Sequence, residues 1–341
     1  MTRQADGRKA RVGVIGCGLW GSAHVQAYLG LPHVEVIAIC DASEERARSL
    51  ANEHSIPKWF ARYEDLCELP GLDAVSIVTP EADHLGPVLA AAQNGLHMLV
   101  EKPMASEVSQ VEKMIEAARA ADVILMPGHI LRFEPRYVLV KEQLENGGLG
   151  VIATIQARRN RTKETRRKYA RAHPVFAAAI HDIDILLWYV NSRVKRVRGY
   201  HRNIAGNATP DVFWGILEFE SGVLGSIECT WLTPDAAGIP SDDTLHVITD
   251  RGVATIDFVH TGLTLWKEGG FEVPDVSIAP SLRGTPGGAL GGELSYFASC
   301  VLAGKQPEIV TGADALESVR TAVALLNSAA QNQEIQVSGK P

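Results

Sequence analysis

The chain has 341 residues, of which 46% are hydrophobic and 21% are charged, and this length and composition are typical of a globular protein with two domains. Its formal net charge of −7 gives no reason to expect nucleic acid binding, and no apolar run is long enough to span a bilayer. The five cysteines are scattered and odd in number, which fits neither a disulfide framework nor a zinc site. Together with a polar segment 1–9 that lacks the apolar core of a signal peptide, they predict a cytoplasmic protein without a metal site.

The first predicted element is a buried strand that leads into a glycine-rich turn. The apolar run 12–15 precedes Gly16, Gly18 and Gly21, which have the spacing G-x-G-x-x-G, and residues 19–29 have helical spacing without proline. In this context the first glycine permits the tight turn, the second lets backbone amides approach a pyrophosphate, and the third lets the helix pack closely on the strand. The pattern indicates a dinucleotide site at a helix N-terminus, and a glycine-rich turn without a ligand is the alternative.

Asp41 supplies a second signal for the same site. It ends the strand-like run 34–40, about 20 residues after the last glycine, where dinucleotide-binding folds place an acid on the ribose hydroxyls. A carboxylate there accepts a hydrogen bond from the 2′-OH of NAD and repels the extra phosphate of NADP, so we expect NAD rather than NADP. Asp41 can also cap the helix that begins near Ser43, and Arg46 is close enough to weaken the preference for NAD.

Strands and helices alternate through the rest of the first 128 residues. Strands are predicted at 58–60, 74–78, 97–100 and 124–126, and helices at 43–54, 63–68, 85–94 and 106–121. This alternation predicts an α/β fold with a doubly wound parallel sheet, a Rossmann domain that spans residues 1–128.

After residue 128 the pattern changes to successive strands with one long helix, at 175–190, among them. The strand candidates are 151–158, 194–200, 212–219, 223–231, 244–249, 253–258 and 263–267. A glycine-rich stretch, 286–292, is interpreted as a loop, and helices follow at 293–303 and 313–330. Strands joined by short turns indicate a second, α+β domain over residues 129–341, built on a large, mostly antiparallel open sheet. Another subunit is expected to cover the open face, and the last helices are placed to pack back on the first domain.

Candidate site residues follow the strands of the first domain, because ligands of a doubly wound sheet bind beyond the carboxyl ends of its strands. These positions hold Thr79-Pro80, Glu101-Lys102-Pro103 and Gly128-His129. Lys102 precedes a proline, which keeps it extended, and its ammonium can polarise an alcohol or carbonyl oxygen where a nicotinamide would end. A lysine in isolation is most often a solvated surface residue; its position after the strand favours catalysis.

The helix at 175–190 contributes His181 and Asp184, which lie three residues apart beside an apolar stripe. A histidine beside a carboxylate can shuttle protons near neutral pH. The alternative is a histidine that is only hydrogen-bonded at a domain edge.

A basic stretch links the first strand of the second domain to this helix. Residues 158–171 contain eight arginines and lysines and one acid, Glu164. We hypothesise that one or two of these groups, Arg159 and Arg167 in particular, bind a carboxylate or phosphate of the substrate. A solvated charged loop is the alternative.

Taken together, these residues resemble the Gfo/Idh/MocA oxidoreductases over nearly the whole chain. The resemblance rests on the turn from Gly16 to Gly21, Thr79-Pro80 with His84, Glu101-Lys102-Pro103, Gly128-His129 with Arg132-Phe133, and Ile180-His181-Asp182-Ile183-Asp184. It implies an N-terminal dinucleotide domain and a C-terminal mixed sheet that forms dimers or tetramers. It also implies oxidation or reduction of a secondary alcohol or carbonyl of a sugar, sugar acid or cyclitol.

By this resemblance Lys102 matches the active-site lysine and His181 the acid/base histidine, with Asp184 as a third catalytic candidate. The candidate cofactor site comprises Gly16, Gly18, Leu19, Trp20, Gly21, Asp41, Thr79, Pro80, His84, Glu101 and Lys102. The candidate substrate site comprises Lys102, His129, Arg159, His181 and Asp184. Many relatives carry an aspartate one turn before the histidine, where this chain has Ala177. Either Asp184 orients His181, or Lys102 does more of the proton transfer, or the enzyme is slow or specialised.

The sequence therefore predicts an NAD-dependent dehydrogenase of a sugar, sugar acid or cyclitol that forms a homodimer or homotetramer, without nucleic acid or membrane partners. One alternative is an enzyme with tightly bound NAD, a hydrolase or epimerase, that oxidises its substrate transiently. The other is a sensor that binds sugar and dinucleotide without chemistry. Lys102 and His181 argue against the sensor, and Ala177 argues mildly for it.

Overall fold

The computed structural model describes residues 7–206, 208–239, 241–259, 263, 265–267, 270–282 and 285–337. The chain forms two compact units. The first comprises Met1–Glu134 and Val276–Leu316, and the second comprises Pro135–Asp275 and Glu317–Pro341.

The first unit is built on a six-stranded sheet whose strands are all parallel and follow the order β3-β2-β1-β4-β5-β6. Its strands are β1 Ala10–Ile15, β2 Val34–Cys40, β3 Lys58–Phe60, β4 Ala74–Ile77, β5 His97–Glu101 and β6 Leu125–Gly128. Its helices are α1 Leu19–Leu29, α2 Glu44–Glu53, α3 Tyr63–Cys67, α4 Leu85–Gln93 and α5 Val108–Ala120. The central strands are apolar and buried because helices cover both faces of the sheet. The strand order reverses between β1 and β4, which places a ligand crevice beyond their carboxyl ends.

The second unit is built on a seven-stranded sheet with the order β12-β11-β7-β10-β9-β8-β17, in which β7 and β10 are parallel and the other neighbours antiparallel. Its strands are β7 Ile152–Thr162, β8 Val194–Arg202, β9 Val212–Phe219, β10 Leu224–Thr233, β11 Ser241–Thr249, β12 Val253–Asp257 and β17 Ile335–Gln336. Four short strands form two hairpins, β13 Leu265–Lys267 with β14 Gly270–Glu272, and β15 Ser281–Leu282 with β16 Thr285–Pro286. The remaining helices are α6 Pro135–Glu145, α7 Lys163–Lys168, α8 Ile180–Val190, α9 Gly288–Ala303 and α10 Gly312–Gln331. Helix α9, like β15 and β16, belongs to the first unit, and α10 crosses the division between Leu316 and Glu317.

One face of the seven-stranded sheet is covered by helices and the other carries exposed apolar side chains. On the covered face, Leu186 of α8 and Leu325 of α10 lie so close to Gly225 and Gly215 that a Cβ on either glycine would be within 2.9 Å of a leucine methyl carbon. The open face carries Tyr200, Trp214, Ile216, Leu224, Ile248 and Val253, all of which are exposed. The alternation along the strands thus confirms an open sheet.

The predicted fold class is confirmed, and the structure corrects several details of the sequence analysis. The stretch 288–292, predicted to be a loop, begins α9, because Ala289 and Leu290 are buried. Helices α6 and α7 were not predicted. The predicted strand 263–267 includes Thr264, which lies outside the described residues.

The two units differ from the predicted division into 1–128 and 129–341. The break falls between Glu134 and Pro135, and the first unit also takes in Val276–Leu316. This segment belongs there because α9 packs against α1 and β1. Among the described residues, no helix combines the length and apolar character that a bilayer crossing requires.

Candidate active site

The glycine turn after β1 has the geometry that a dinucleotide requires. Gly16 adopts φ +103°, and a Cβ there would lie 2.6 Å from the carbonyl oxygen of Val78. A Cβ on Gly21 would lie 1.8 Å from the carbonyl oxygen of Gly16, whereas one on Gly18 would meet nothing within 4 Å. Gly16 and Gly21 are therefore required by the protein itself, while Gly18 borders open space that a ligand can fill.

Helix α1 presents its N-terminus to this space. Gly18 is the N-cap, and no side chain caps the helix, so the amides of its first turn are available to a pyrophosphate. The side chain of Leu19 is 79% exposed beside them. These features fit the phosphates of a dinucleotide.

Asp41 lies beside the glycine turn, at the end of β2. The amide of Cys17 donates to its Oδ2 atom at 2.8 Å, and the amide of Ser43 donates to Oδ1 at 2.9 Å. Each oxygen retains a lone pair for a ribose hydroxyl. Arg46 approaches Oδ1 at 3.7 Å. The cap of α2 is Ser43, which accepts from the amide of Arg46, so Asp41 is not the helix cap.

A buried carboxylate anchors the segment that carries Lys102. Glu101, at the end of β5, accepts hydrogen bonds at Oε1 from Nε1 of Trp20 at 2.8 Å and from Nε2 of His24 at 3.1 Å, and at Oε2 from the amide of Lys102 at 3.1 Å. Burial raises the pKa of Glu101, but the hydrogen bond and charge of His24 and the charge of Lys102 outweigh burial, so this pKa lies below its usual range. Sequence reasoning assigned Trp20 and Glu101 to the cofactor; the structure shows them bonded to each other.

Lys102 is half-buried and directly follows β5, and its peptide bond to Pro103 is cis. It thus occupies the strand-end position that the sequence predicted.

His84 ties two strand-end loops together. Its ring is 1% exposed, with Nδ1 3.0 Å from the carbonyl oxygen of Met104 and Nε2 2.9 Å from that of Thr79. These contacts use both ring nitrogens, so His84 holds the Thr79-Pro80 turn and the loop after Lys102, and its direct contact with a cofactor is not supported.

His129 and Arg132 are buried after β6. Nη1 of Arg132 donates to the carbonyl oxygen of Ile309 at 2.9 Å, and Nη2 lies 3.2 Å from Oδ1 of Asp314. Burial raises the pKa of Asp314, but Arg132 and the hydrogen bonds of Thr311 outweigh it and hold this pKa below its usual range. Arg132 is therefore a structural residue, and His129, three residues earlier in the chain, is 2% exposed.

In the second unit, His181 lies in the first turn of α8. The segment Val175–Ala179, which includes Ala177, is π-helical and runs directly into α8. Single π turns occur frequently at functional sites. His181 is half-buried, while its neighbours Ile180 and Asp182 are buried. His181 is thus more exposed than the residues on either side of it in the chain.

Arg159 lies inside the unit in an ion-pair cluster. Its Nε and Nη2 atoms donate to Oδ2 and Oδ1 of Asp182 at 2.9 and 2.8 Å, and its Nη1 atom donates to Oδ2 of Asp243 at 2.8 Å. Burial raises the pKa of Asp182 above its usual range. Burial acts the same way on Asp243, but Arg159 and Arg161 both face it and lower its pKa. The prediction that Arg159 binds the substrate is therefore not supported by its position.

Asp184 is also buried. It is 1% exposed and accepts a hydrogen bond from Oγ of Ser318 in α10 at 3.5 Å. This location does not support direct contact of Asp184 with a substrate. Sequence reasoning assigned no role to Asp182, although a carboxylate between the apolar residues Ile180 and Ile183 was a signal that it has a buried partner.

The basic stretch is largely neutralised within the unit. Six of its eight cations pair with carboxylates: Arg158 with Asp242, Arg159 with Asp182 and Asp243, Arg161 with Asp243, Arg166 with Asp211, Arg167 with Asp235, and Lys168 with Glu164. Arg159 is therefore not placed to receive a substrate anion, whereas for Arg167, whose side chain is 66% exposed, the hypothesis stays a prediction.

Comparisons with known proteins agree with this geometry. Residues 10–129 match the family description "Oxidoreductase family, NAD-binding Rossmann fold", and residues 137–255 match "GFO/IDH/MocA C-terminal domain". The chain is 27% identical to the scyllo-inositol 2-dehydrogenase (NAD(+)) of Bacillus subtilis strain 168, over 97% of each chain. It is 29% identical to the myo-inositol 2-dehydrogenase of Thermotoga maritima, over 64% of this chain and 67% of the relative.

The fold is also similar to that of solved structures. The crystal structure of the scyllo-inositol dehydrogenase of Lactobacillus casei with bound NAD(H) and scyllo-inositol aligns with a TM-score of 0.83 at 18% identity, over 97% of this chain and 100% of that chain. The myo-inositol 2-dehydrogenase of Lactobacillus plantarum aligns with a TM-score of 0.84 at 22% identity, over 96% of this chain and 99% of that chain.

Proposed function

The chain belongs to the Gfo/Idh/MocA family of oxidoreductases, and from this premise we propose that it transfers a hydride between NAD and a secondary alcohol or ketone of a cyclitol or related sugar. The observation that carries the proposal is the arrangement at the strand ends of the first unit. There Lys102 is anchored through Glu101, and the glycine turn with Asp41 offers the features that a dinucleotide needs.

NAD fits the residues of this site. Gly18 and the first turn of α1 would hold the pyrophosphate, and Asp41 would hold the ribose hydroxyls. When bound, NAD supplies the nicotinamide that exchanges the hydride.

We propose that Lys102 and His181 handle the substrate hydroxyl. The Lys102 ammonium donates a hydrogen bond to the reacting oxygen and stabilises the negative charge that develops there. His181 takes the hydroxyl proton during oxidation and returns it during reduction. Ala177 provides no carboxylate one turn earlier, so we propose that Lys102 does more of the proton transfer.

The substrates named for the similar proteins support a neutral polyol as substrate rather than a sugar acid. In the basic stretch, Arg159 and Arg166 are buried in ion pairs, so these two are not placed to receive a substrate anion. The inositols, on which the similar proteins are named to act, are neutral.

The test is nicotinamide absorbance during incubation with NAD or NADP and a panel of inositols, aldoses and sugar acids. We expect turnover with NAD and an inositol, and its loss in Lys102→Ala. Lys113→Ala, which removes an exposed lysine of α5, is the matched control and retains activity. Cofactor that stays bound through purification without net turnover would instead point to transient oxidation, and binding of sugar without any redox change would point to a sensor.

We also propose that the protein is a homo-oligomer assembled through the open face of the seven-stranded sheet. Six exposed apolar side chains share this face, including Trp214 of β9, and such patches are typical of subunit interfaces. Light scattering should report a dimer or tetramer for the wild type and a smaller species for Trp214→Glu. Leu139→Glu, which changes an exposed residue of α6, is the control; an equal effect of both substitutions would refute the proposal.

We also propose that the protein is cytoplasmic. All five cysteines are free and buried, as expected in a reducing compartment. Protein purified without reductant should therefore release five titratable thiols on denaturation, and a lower number would contradict this location.

A further inference from the structure

We propose that Arg159, held between Asp182 and Asp243, is a positioning residue that sets the orientation of His181; the catalytic part of this inference rests on the function proposed above. The sequence places His181 and Asp182 next to each other at the start of α8. The structure joins Asp182 to β7 through Arg159.

The contact between Arg159 and Asp182 is bidentate, which fixes direction as well as distance. Two parallel hydrogen bonds, of 2.9 and 2.8 Å, hold the guanidinium and the carboxylate in one plane. Successive side chains of an α-helix point about 100° apart around its axis. When Asp182 is held on the sheet side, the direction of the His181 side chain is therefore determined.

The guanidinium is itself fixed to the sheet. Nη1 of Arg159 donates to Asp243, which lies directly opposite Arg159 on β11. Arg161 also donates to both oxygens of Asp243. Arg159, Asp182 and Asp243 are 3%, 1% and 4% exposed, so water does not compete for these hydrogen bonds.

The start of α8 needs such an anchor, because a regular helix does not precede it. The π-helical segment Val175–Ala179 changes the residue spacing per turn immediately before Ile180. Apolar packing of Ile180 and Ile183 holds the helix against the sheet but is non-directional. A buried ion pair often adds little stability over apolar residues of the same volume, so orientation is the contribution that distinguishes it here.

The chain offers a matched control on the same two strands. Arg158 of β7 donates to Asp242 of β11 at 2.7 Å, but this pair lies on the open face of the sheet and Arg158 is half-exposed. Arg159→Lys and Arg158→Lys therefore make the same chemical change one residue apart, and only the first touches the anchor of α8.

The experiment compares these two variants by steady-state kinetics and by NMR of protein with 13C-labelled histidine, in which the His181 signal is assigned from its loss in His181→Asn. For Arg159→Lys we expect a lower thermal transition, because lysine cannot reproduce the bidentate contact with a buried carboxylate, a fall in kcat of about 10- to 100-fold with an unchanged KM for NAD, and a displaced His181 signal. Arg158→Lys should match the wild type in all three. Asp182→Asn, which keeps one acceptor oxygen for Arg159, replaces Arg159→Lys if that variant does not fold.

A His181 signal that moves no more in Arg159→Lys than in Arg158→Lys would overturn the inference, and so would a fall in kcat without that displacement. The NMR readout does not require turnover. A wild type that fails to turn over any substrate would therefore defeat the proposed function, while the His181 signal would still decide whether Arg159 positions this residue.

Discussion

His173 makes the stability of the protein depend on pH over a range where carboxylates contribute little. The residue lies just before the π-helical segment, and its Nδ1 atom accepts a hydrogen bond from the amide of Val175 at 3.2 Å. Its ring packs edge-on against Phe213, with ring centroids 5.5 Å apart. Burial, with a smaller contribution from His201, lowers the pKa of His173 from 6.5 to about 4. Protonation would also place a hydrogen on Nδ1 and break the bond to Val175.

Proton linkage determines whether the free energy of unfolding rises or falls with pH at His173. Between these two pKa values the unfolded chain binds a proton at His173 and the folded chain does not, so the free energy of unfolding decreases as the pH falls. A fall in pKa from 6.5 to about 4 corresponds to a loss of ~3 kcal/mol once the pH is below both values, of which ~2 kcal/mol is lost by about pH 5.

The assay is denaturant unfolding of wild type and His173→Asn at several pH values between about 7.5 and 5. Asparagine keeps an acceptor near the Nδ1 position but does not titrate. We expect the wild type to lose ~2 kcal/mol more than the variant over this range, because all other groups are shared. If the two proteins lose stability in parallel, His173 is not held neutral by its surroundings and the reasoning is refuted.

Four further substitutions test the site and its support. Gly21→Ala should prevent stable folding of the first unit because its Cβ would overlap the backbone, whereas Gly18→Ala should keep the melting temperature and lose NAD affinity. A Gly21→Ala protein that folds normally, or a Gly18→Ala protein that unfolds, would contradict the assigned roles. Asp41→Ala should weaken NAD binding by about 10- to 100-fold, the value of a charged hydrogen bond, and leave NADP binding unchanged or improved, as calorimetry can measure. Arg132→Met should lower the free energy of unfolding by ~2 kcal/mol. This is less than the ~3–5 kcal/mol lost when a fully buried ion pair is broken, because Asp314 is partly exposed. An unchanged midpoint of denaturant unfolding would show that Asp314 does not need its partner.

The first unit was predictable from sequence because its signals are local. The glycine spacing, the apolar run of β1 and the acid after β2 all lie within the first 41 residues, and their geometry in the structure agrees with the prediction. Helix α9 was predicted to begin five residues late, because glycines at 288, 291 and 292 disfavour a helix in isolation. Tertiary burial of Ala289 and Leu290 outweighs that preference. Helix α6 was missed because only Tyr137 among its residues is buried, which leaves no clear apolar stripe.

The partners of the charged residues were not predictable. Arg159 pairs with Asp182, 23 residues away, and with Asp243, 84 residues away. No local pattern specifies which of several acids meets a given arginine, so a basic stretch that looked like an anion site proved to be internally compensated. The direction of Asp184 toward Ser318 depends in the same way on how α10 packs.

The ladder between β7 and β11 has a consequence for strand alignment during folding. On the helix-covered face Ile155 lies opposite Val247, Ala157 opposite Leu245, and Arg159 opposite Asp243. Because side chains alternate between faces, a slip of one residue would turn both apolar residues of β11 toward water and carry Asp243 away from the guanidinium. Apolar contacts alone penalise a slip of two residues more weakly, since it keeps each side chain on its face and brings other methyl groups together. An unpaired buried charge makes every misaligned register costly. Arg159, which contacts α8, therefore also fixes the register of β7 and β11, two strands that are remote in sequence.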